Sequence, residues 1–342
     1  MRFHPLPSLQ SRPLVSVVIP CYRYGNYLAT AVDTAIRQPG VRVEVIVVDD
    51  ASPDDSAEVA RELAGRHPEV TAVVHEANRG HIATYNDGLE RATGDYVVLL
   101  SADDLLAPGA LARAAAIMDR DPEVGLVYGF APDFEQSPAP TRRLLPHYAR
   151  WTGEQWIDRV CASAQNPVCT PTAIMRRQVL TACGGYDPRL PHTADLLMWL
   201  RAAGRAGVAY VSGVDQAYYR VHGSNMHSTT FAQLAVDLEQ RREAFRVFLT
   251  EFGGDPARSA ARLSTVTHAL VVEAERALHR LDPAEPGSAE AAEALTDLIE
   301  RHREPRPGTA RRPAAPAPWA ARADAARGML DWRYWRRFGL RL

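Results

Sequence analysis

The first half of the chain alternates short runs of aliphatic and β-branched residues with segments of helical periodicity. The runs, such as VSVVIP and VEVIVV, are almost continuously apolar, whereas a strand with one face in water alternates apolar and polar residues. Continuous apolar strands separated by helices indicate a mostly parallel sheet covered by helices on both faces. The sequence therefore predicts an α/β fold, with strands near 14–20, 43–50, 70–76, 96–101 and 124–130.

The basic residues of the chain are all arginine, since its 342 residues include no lysine. This composition excludes Schiff-base chemistry, a pyridoxal phosphate anchor and a Walker A lysine. The formal net charge of −2 provides no overall positive field, so no nucleic-acid partner is predicted.

The sequence predicts a cytoplasmic location. Its first twenty residues lack a basic segment followed by an apolar one, and no apolar run reaches the roughly 20 residues of a membrane-spanning helix. The four cysteines show no CxxC spacing, as expected in a reducing compartment.

Polar residues follow the predicted strands where ligands of open α/β sheets bind, beyond the carboxyl ends. Asp49 and Asp50 follow the second strand, and Asp103 and Asp104 follow the fourth. A helix cap would account for one carboxylate at each place but not for two. Hard divalent cations need few protein carboxylates when substrate phosphates supply further oxygens, so Asp103 is a candidate metal ligand. No GxGxxG follows any strand, which argues against a dinucleotide site.

Five segments in a fixed order resemble the family 2 glycosyltransferases of GT-A fold, and together they span residues 14 to about 225. They read VSVVIPCYRYGNYL, VIVVDDASPDDS, NRGHIATYNDGLERATGDYVVLLSADD, GGYDPRLPHTADLLMWLR and YRVHGSN. The resemblance implies an inverting transferase that uses a UDP-, dTDP- or GDP-sugar. The implied acceptor is a carbohydrate, a lipid-linked molecule or a small molecule, as in cell-envelope or polysaccharide biosynthesis.

The resemblance also implies where the nucleotide binds. The loop after the first strand and the aspartate after the second hold the base in such enzymes, and Arg79 is either a nucleotide contact or a solvated loop residue. Ser101 replaces the first aspartate of the usual Asp-x-Asp motif, which tends to contact the ribose, although a serine hydroxyl can also bond a ribose hydroxyl. The nucleotide-binding residues implied are Pro20, Tyr22, Asp50, Arg79, Ser101 and Ala102.

For the metal, Mn²⁺ or Mg²⁺, the resemblance implies Asp103 and His222 as ligands. The alternative for His222 is an ordinary core or loop histidine. Asp104 is a candidate for ordering the loop, and Arg220 is a candidate for pairing with the diphosphate oxygens. His192 is a candidate for orienting Asp195 or contacting the acceptor, and is otherwise a surface loop histidine.

For catalysis, the resemblance implies Asp195 as the general base that deprotonates the acceptor hydroxyl. The glutamate that usually precedes it is Ala194 here, and an isolated aspartate at a helix start also suits a cap. Ser101 and Ala194 leave a second interpretation open, in which a degenerate domain of the same fold binds a nucleotide sugar or a partner without catalysis.

The last residues, 329–342, mix aromatic side chains with arginine, a composition suited to a membrane interface and a peripheral location on the inner face of the cell membrane. The alternative is a terminal helix docked on the preceding helices. The predicted organisation is an N-terminal extension (1–13), a GT-A domain (14–225) with nucleotide-sugar (14–130) and acceptor (131–225) parts, a helical extension (226–303), a Pro/Ala/Arg-rich linker (304–320) and a basic-aromatic tail (321–342).

Overall fold

A computed structural model describes residues 3–223 and 232–303. The strands are β1 Phe3–Pro5, β2 Leu14–Cys21, β3 Arg42–Asp49, β4 Val70–Val74, β5 Tyr96–Leu99, β6 Leu105–Leu106, β7 Val124–Phe130, β8 Asp133–Phe134, β9 Arg143–Trp151, β10 Ile174–Arg176, β11 Gly207–Asp215 and β12 Ala217–Arg220. The α-helices are α1 Gly25–Ile36, α2 Ser56–Arg66, α3 His81–Glu90, α4 Ala110–Arg120, α5 Gly153–Ser163, α6 Arg177–Cys183, α7 Ala194–Ala203, α8 Ala232–Glu251, α9 Pro256–Leu278 and α10 Ser288–His302.

The large sheet of the described residues has nine strands in the order β1-β9-β11-β7-β10-β5-β2-β3-β4. Strands β9 and β10 are antiparallel to their neighbours, and the other strands all run in one direction. The mostly parallel sheet predicted from the sequence is therefore confirmed. It brings the carboxyl ends of β2, β3 and β5 to one edge.

Both faces of the sheet are buried, as the continuous apolar strands predict. Val15, Val17 and Ile19 of β2 join a core with residues of α1, α2 and α4. Val18, which points to the opposite face, joins a second core with residues of α3, α5 and α7. Helices thus cover the sheet on both sides.

The segment 131–225 contains more of the sheet than its sequence indicates. β11 lies between β7 and β9, and β10 is inserted antiparallel between β5 and β7. β10 has three residues, too few for a periodic signal. β12 pairs with β6 and β8 in a separate three-stranded sheet.

Helices α8, α9 and α10 pack onto the same core as α5 and α7. Phe245 and Leu270 share one buried cluster with Trp156 and Trp199. Among the described helices, none combines the length with the apolar character that crossing a membrane requires. The linker and tail expected from residue 304 onward lie outside the described residues.

Candidate active site

Asp50, directly after β3, organises the turn that precedes α3. Its Oδ1 atom accepts a hydrogen bond from the main-chain N–H of Arg79 (2.8 Å), and Oδ2 accepts one from Gly80 (2.9 Å). The side chain of Asn78 donates to the main-chain oxygen of Asp50 (3.1 Å). Burial opposes ionisation of Asp50, but these N–H donors and the adjacent His75 ring hold the pKa of its carboxyl below the ordinary value.

The two aspartates at the end of β3 have different partners. The Asp49 carboxylate accepts hydrogen bonds from the hydroxyl (2.5 Å) and the main-chain N–H (3.0 Å) of Ser52. Asp49 therefore shapes the loop after β3. Asp50 does not cap α2, because its carboxylate is directed to the turn before α3.

Asp103 and His222 lie side by side. The Nε2 atom of His222 is 3.0 Å from Oδ2 of Asp103, and both residues are largely shielded from water. The His222 ring stacks on Tyr27 (5.5 Å between centroids, 21° between planes) and meets Tyr24 edge-on at 5.5 Å. These aromatic contacts from the start of α1 fix the position of the imidazole.

Asp104 and Arg220 hold the loop that carries Asp103. Oδ1 of Asp104 accepts a hydrogen bond from the main-chain N–H of Arg220 (2.9 Å), and the Arg220 Nε atom donates to the main-chain oxygen of Asp103 (2.9 Å). The Arg220 guanidinium lies between the rings of Tyr27 and Phe134, at 4.5 and 4.4 Å from their centroids. Burial, together with the neighbouring charge of Asp103, raises the pKa of Asp104 well above its ordinary value. Asp104 therefore suits a loop-ordering role better than that of a charged ligand.

The donor set at Asp103 suits a divalent ion that takes its other ligands from a substrate. A carboxylate oxygen and an imidazole nitrogen 3.0 Å apart have about the spacing of adjacent ligands around an octahedral ion with bonds of about 2.1 Å. Within the described residues, no group of three or more His, Cys, Asp or Glu side chains is arranged to hold a metal. Two protein ligands still fit, because Mg²⁺-like ions commonly combine one or two carboxylates with phosphate oxygens and waters.

Asp195 lies in the first turn of α7, where a neighbouring loop orients it. Its Oδ2 atom accepts a hydrogen bond from the Asn166 side-chain amide (2.7 Å), and Oδ1 accepts one from the main-chain N–H of Leu196 (2.7 Å). Asn166 is itself fixed, because its Oδ1 atom accepts the N–H of Val168 (3.2 Å). The hydrogen bond from the Leu196 N–H to Asp195 is of the kind that caps the start of a helix. The hydrogen bond from Asn166 is not needed for a cap.

Tyr85 on α3 connects the two acidic regions. Burial raises the pKa of its phenol, and the negative charges of Asp195, Asp103 and Asp104 raise it further, in that order. Its hydroxyl makes no hydrogen bond within residues 3–223 and 232–303. The charges of Asp195 and of the loop that carries Asp103 therefore both act on this one ring.

The remaining residues singled out from the sequence lie around these groups. Tyr22, with 43% of its surface exposed, follows β2, and the Arg79 side chain is exposed although its main chain is bonded to Asp50. The main-chain oxygen of Ser101 accepts the N–H of Asp104 (3.0 Å). Pro20 is the penultimate residue of β2, Ala102 is buried and His192 is exposed.

Several residues of the site were missed by sequence reasoning. Asn166 lies outside the five segments quoted above, and Tyr85 lies within the third of them but was given no role there. The contacts of both depend on segments distant in the chain. His75 and Asp87 contact each other beside Asp50. The signal that could have been noticed is a histidine directly after β4, three residues before Asn78.

A family model described as Glycosyl transferase family 2 matches residues 16–184. An uncharacterized glycosyltransferase of Nostoc sp. is 27% identical over 263 residues, which cover 70% of this chain and 76% of that relative. These matches support a transferase over a degenerate binding domain.

Two solved structures resemble the fold. The TarS fragment 1–349 of S. aureus in complex with UDP-GlcNAc has a TM-score of 0.63 at 18% identity and covers 84% of this chain and 81% of its own. The mannosyltransferase PcManGT from Pyrobaculum calidifontis, in complex with GDP-Man and Mn²⁺, has a TM-score of 0.53 at 19% identity, with coverages of 98% and 86%. At these identities the resemblance concerns the fold, and it agrees with the GT-A architecture predicted.

Proposed function

Because the chain belongs to glycosyl transferase family 2, we propose that it transfers a sugar, with inversion, from a nucleotide-diphosphate sugar to an acceptor hydroxyl. The observation that supports this most directly is the pairing of Asp103 with His222 (3.0 Å) beyond the carboxyl end of β5. The charges of Asp103 and Asp195 also act on the same ring, that of Tyr85. A leaving-group site and a general base must be near each other for one displacement to use both.

The nucleotide base would be recognised by Asp50. Two of its neighbours donate to Oδ1 and one donates to Oδ2, so one acceptor position on Oδ2 is left among the described residues. Uracil, thymine and guanine each offer a ring N–H that this oxygen can accept. Pro20, Tyr22 and Arg79 flank the same edge, and Ser101 with Ala102 would lie against the ribose.

Asp103 and His222 would hold a divalent cation, Mn²⁺ or Mg²⁺, together with the donor diphosphate. Such an ion acts as a Lewis acid and stabilises the charge that develops on the departing diphosphate. Asp104 and Arg220 keep the Asp103 loop in place through main-chain hydrogen bonds. The aromatic contacts of Tyr27 orient His222 in the same way.

Asp195 would act as the general base. As the acceptor oxygen attacks the anomeric carbon, a carboxylate oxygen of Asp195 takes the hydroxyl proton while the bond to the diphosphate breaks on the opposite face. A single displacement of this kind inverts the anomeric centre, and proton removal typically contributes ~10²–10⁴-fold in rate. Asn166 positions the carboxylate for this step.

UDP- and GDP-sugars are the first donors to test, with dTDP-sugars third, because structures of similar fold contain UDP-GlcNAc and GDP-Man. The acceptor would be a carbohydrate, a lipid-linked molecule or a small molecule. A peripheral membrane contact through residues 329–342 remains part of the proposal. Flotation of the full chain with anionic liposomes, compared with a chain ending at Pro318, tests it, and equal flotation would remove the idea.

The purified protein is incubated with Mn²⁺ and each donor in turn, and release of the nucleoside diphosphate is measured. We expect one donor to be hydrolysed slowly without an acceptor, and the Asp195→Asn variant to bind that donor but not to turn it over. Turnover that is unchanged in Asp195→Asn would contradict the assignment of the base. Absence of both binding and turnover with every donor would contradict the proposed function.

A further inference from the structure

His75 lies between two aspartates and is almost completely buried. Its Nδ1 atom is 2.8 Å from Oδ1 of Asp50, and its Nε2 atom is 2.9 Å from Oδ2 of Asp87. An ionised carboxylate only accepts hydrogen bonds, and a neutral imidazole has a single N–H. Both contacts are therefore hydrogen bonds only when the His75 ring carries a proton on each nitrogen.

The charges around this ring alternate. On the outer side, the Arg91 guanidinium forms an ion pair with Asp87 and also donates to the main-chain oxygen of Asp87 (2.9 Å). Burial opposes ionisation of Asp87, but the hydrogen bond from His75 and the charge of Arg91 lower the pKa of its carboxyl. The pKa of Asp50 is likewise below its ordinary value. Both carboxylates are consequently ionised at neutral pH.

The titratable groups that contact His75 come from two elements. Asp50 follows β3, and Asp87 belongs to α3 and is backed by Arg91. Arg79 contacts Asp50 through its main-chain N–H. The carboxylate of Asp49 is bonded to Ser52 and not to His75.

We propose that His75 is a positioning residue: held as an imidazolium by Asp87, it orients Asp50 so that one oxygen position faces the base of the nucleotide donor. This inference rests on the proposed function, in which Asp50 accepts a ring N–H of the base. With one proton fewer, the ring would present a lone pair to an ionised carboxylate. Either Asp50 or Asp87 would then turn away, and the acceptor position offered to the base would move.

The test measures the affinity of the full chain for UDP, dTDP and GDP by calorimetry with Mn²⁺, at about pH 6, 7.5 and 9. The variants are His75→Gln, Asp87→Asn and, as a matched control, Glu90→Gln, which removes a carboxylate from the exposed side of the same helix. We expect His75→Gln to weaken binding of the preferred nucleotide roughly tenfold at about pH 6.

The decisive comparison is the pH profile. Wild-type affinity should be lower at about pH 9 than at about pH 6, because a ring with one N–H can donate to only one of the two carboxylates. In Asp87→Asn, the side-chain amide of the asparagine can donate a hydrogen bond to an unprotonated Nε2 atom of His75, so the Nδ1–H of His75 can still donate to Asp50. The loss of nucleotide affinity at high pH should therefore be smaller than in wild type. Glu90→Gln should keep the wild-type profile. Any pH dependence of the proposed metal site at His222 is the same in all of these proteins. The difference between their pH profiles therefore reports on His75.

A second measurement does not depend on nucleotide binding. The ¹⁵N resonances of the His75 ring, assigned by their loss in His75→Gln, should show two protonated nitrogens in the free wild-type protein at about pH 7. One unprotonated nitrogen, or equal pH profiles of Asp87→Asn and wild type, would overturn the inference. If wild type binds none of the three nucleotides, the proposed function fails, and the positioning role fails with it.

Discussion

The Nε2 atom of His222 lies 3.0 Å from Oδ2 of Asp103, although 119 residues separate the two in the chain. The contact forms because the loop after β5 and the residues after β12 meet at one edge of the fold. Arg220 and Asp104 stabilise this meeting through main-chain hydrogen bonds. The pair is the basis of the first prediction.

Asp103→Asn should abolish the dependence of donor binding on Mn²⁺ and lower kcat/KM by about 10²-fold or more, because a neutral amide is a weaker ligand for a hard cation. Calorimetric titration of UDP or GDP with Mn²⁺ and with a chelator measures the effect. Asp133→Asn, an exposed aspartate of β8, is the control and should behave like wild type. Metal-dependent binding that survives in Asp103→Asn would contradict the assignment.

Asn166→Ala should lower kcat by about tenfold while donor affinity stays unchanged, since it removes the hydrogen bond that orients Asp195 but touches no donor contact. Initial rates over a range of donor concentrations separate kcat from KM. Asn166→Asp tests charge at constant shape and should be worse than alanine, because it places a second carboxylate against Asp195. An increase in KM for the donor with unchanged kcat would show that Asn166 acts elsewhere.

Asp187 should make folding stability depend on acid pH. The Arg189 side chain, followed in effect by its main-chain N–H and by Arg201, lowers the pKa of Asp187 from 3.8 to about 2. A lowered folded-state pKa contributes stability above about pH 4 that is lost as pH falls toward about 2. Because Arg189 is exposed and water screens its charge, we expect the ionised Asp187 to contribute about 1–2 kcal/mol to the free energy of unfolding.

Urea unfolding at several pH values tests this contribution. Asp187→Asn should be less stable than wild type at neutral pH, and the difference should shrink below about pH 3. Asp297→Asn disrupts an exposed aspartate–arginine pair on α10 and should change the free energy of unfolding by about 0.5 kcal/mol or less. A constant difference at all pH values would contradict the role of the Asp187 charge.

Gly88→Ala should destabilise the protein by about 1–3 kcal/mol and lower activity. A Cβ at Gly88 would lie 2.3 Å from Cγ1 of Val18 and 3.1 Å from Cγ2 of Val48, so α3, which carries Tyr85, would move off the sheet. Gly65 on α2 has nothing within 4 Å of such a Cβ, and Gly65→Ala should stabilise by about 0.5–1 kcal/mol. Thermal unfolding of both variants should show a lower Tm for Gly88→Ala and a higher Tm for Gly65→Ala than for wild type.

The fold and the edge of the sheet that bears the site were predictable because their signals are local. A continuous apolar run indicates a strand that is buried on both faces. In β2, alternate residues pack into the two cores on opposite faces of the sheet. The three residues of β10 carry no such signal, since their place between β5 and β7 depends on partners distant in the chain.

The sequence by itself determined which residue types follow each strand, and therefore that Asp50 and Asp103 would lie at the carboxyl edge of the sheet. Only the tertiary structure decided what each carboxylate contacts. It assigned Asp49 to Ser52, Asp50 to the Arg79–Gly80 turn and His75, and Asn166 to Asp195. The physical reason is that strand periodicity is set by neighbours in the chain, whereas a hydrogen bond, with its atoms about 3 Å apart, depends on how separate segments pack.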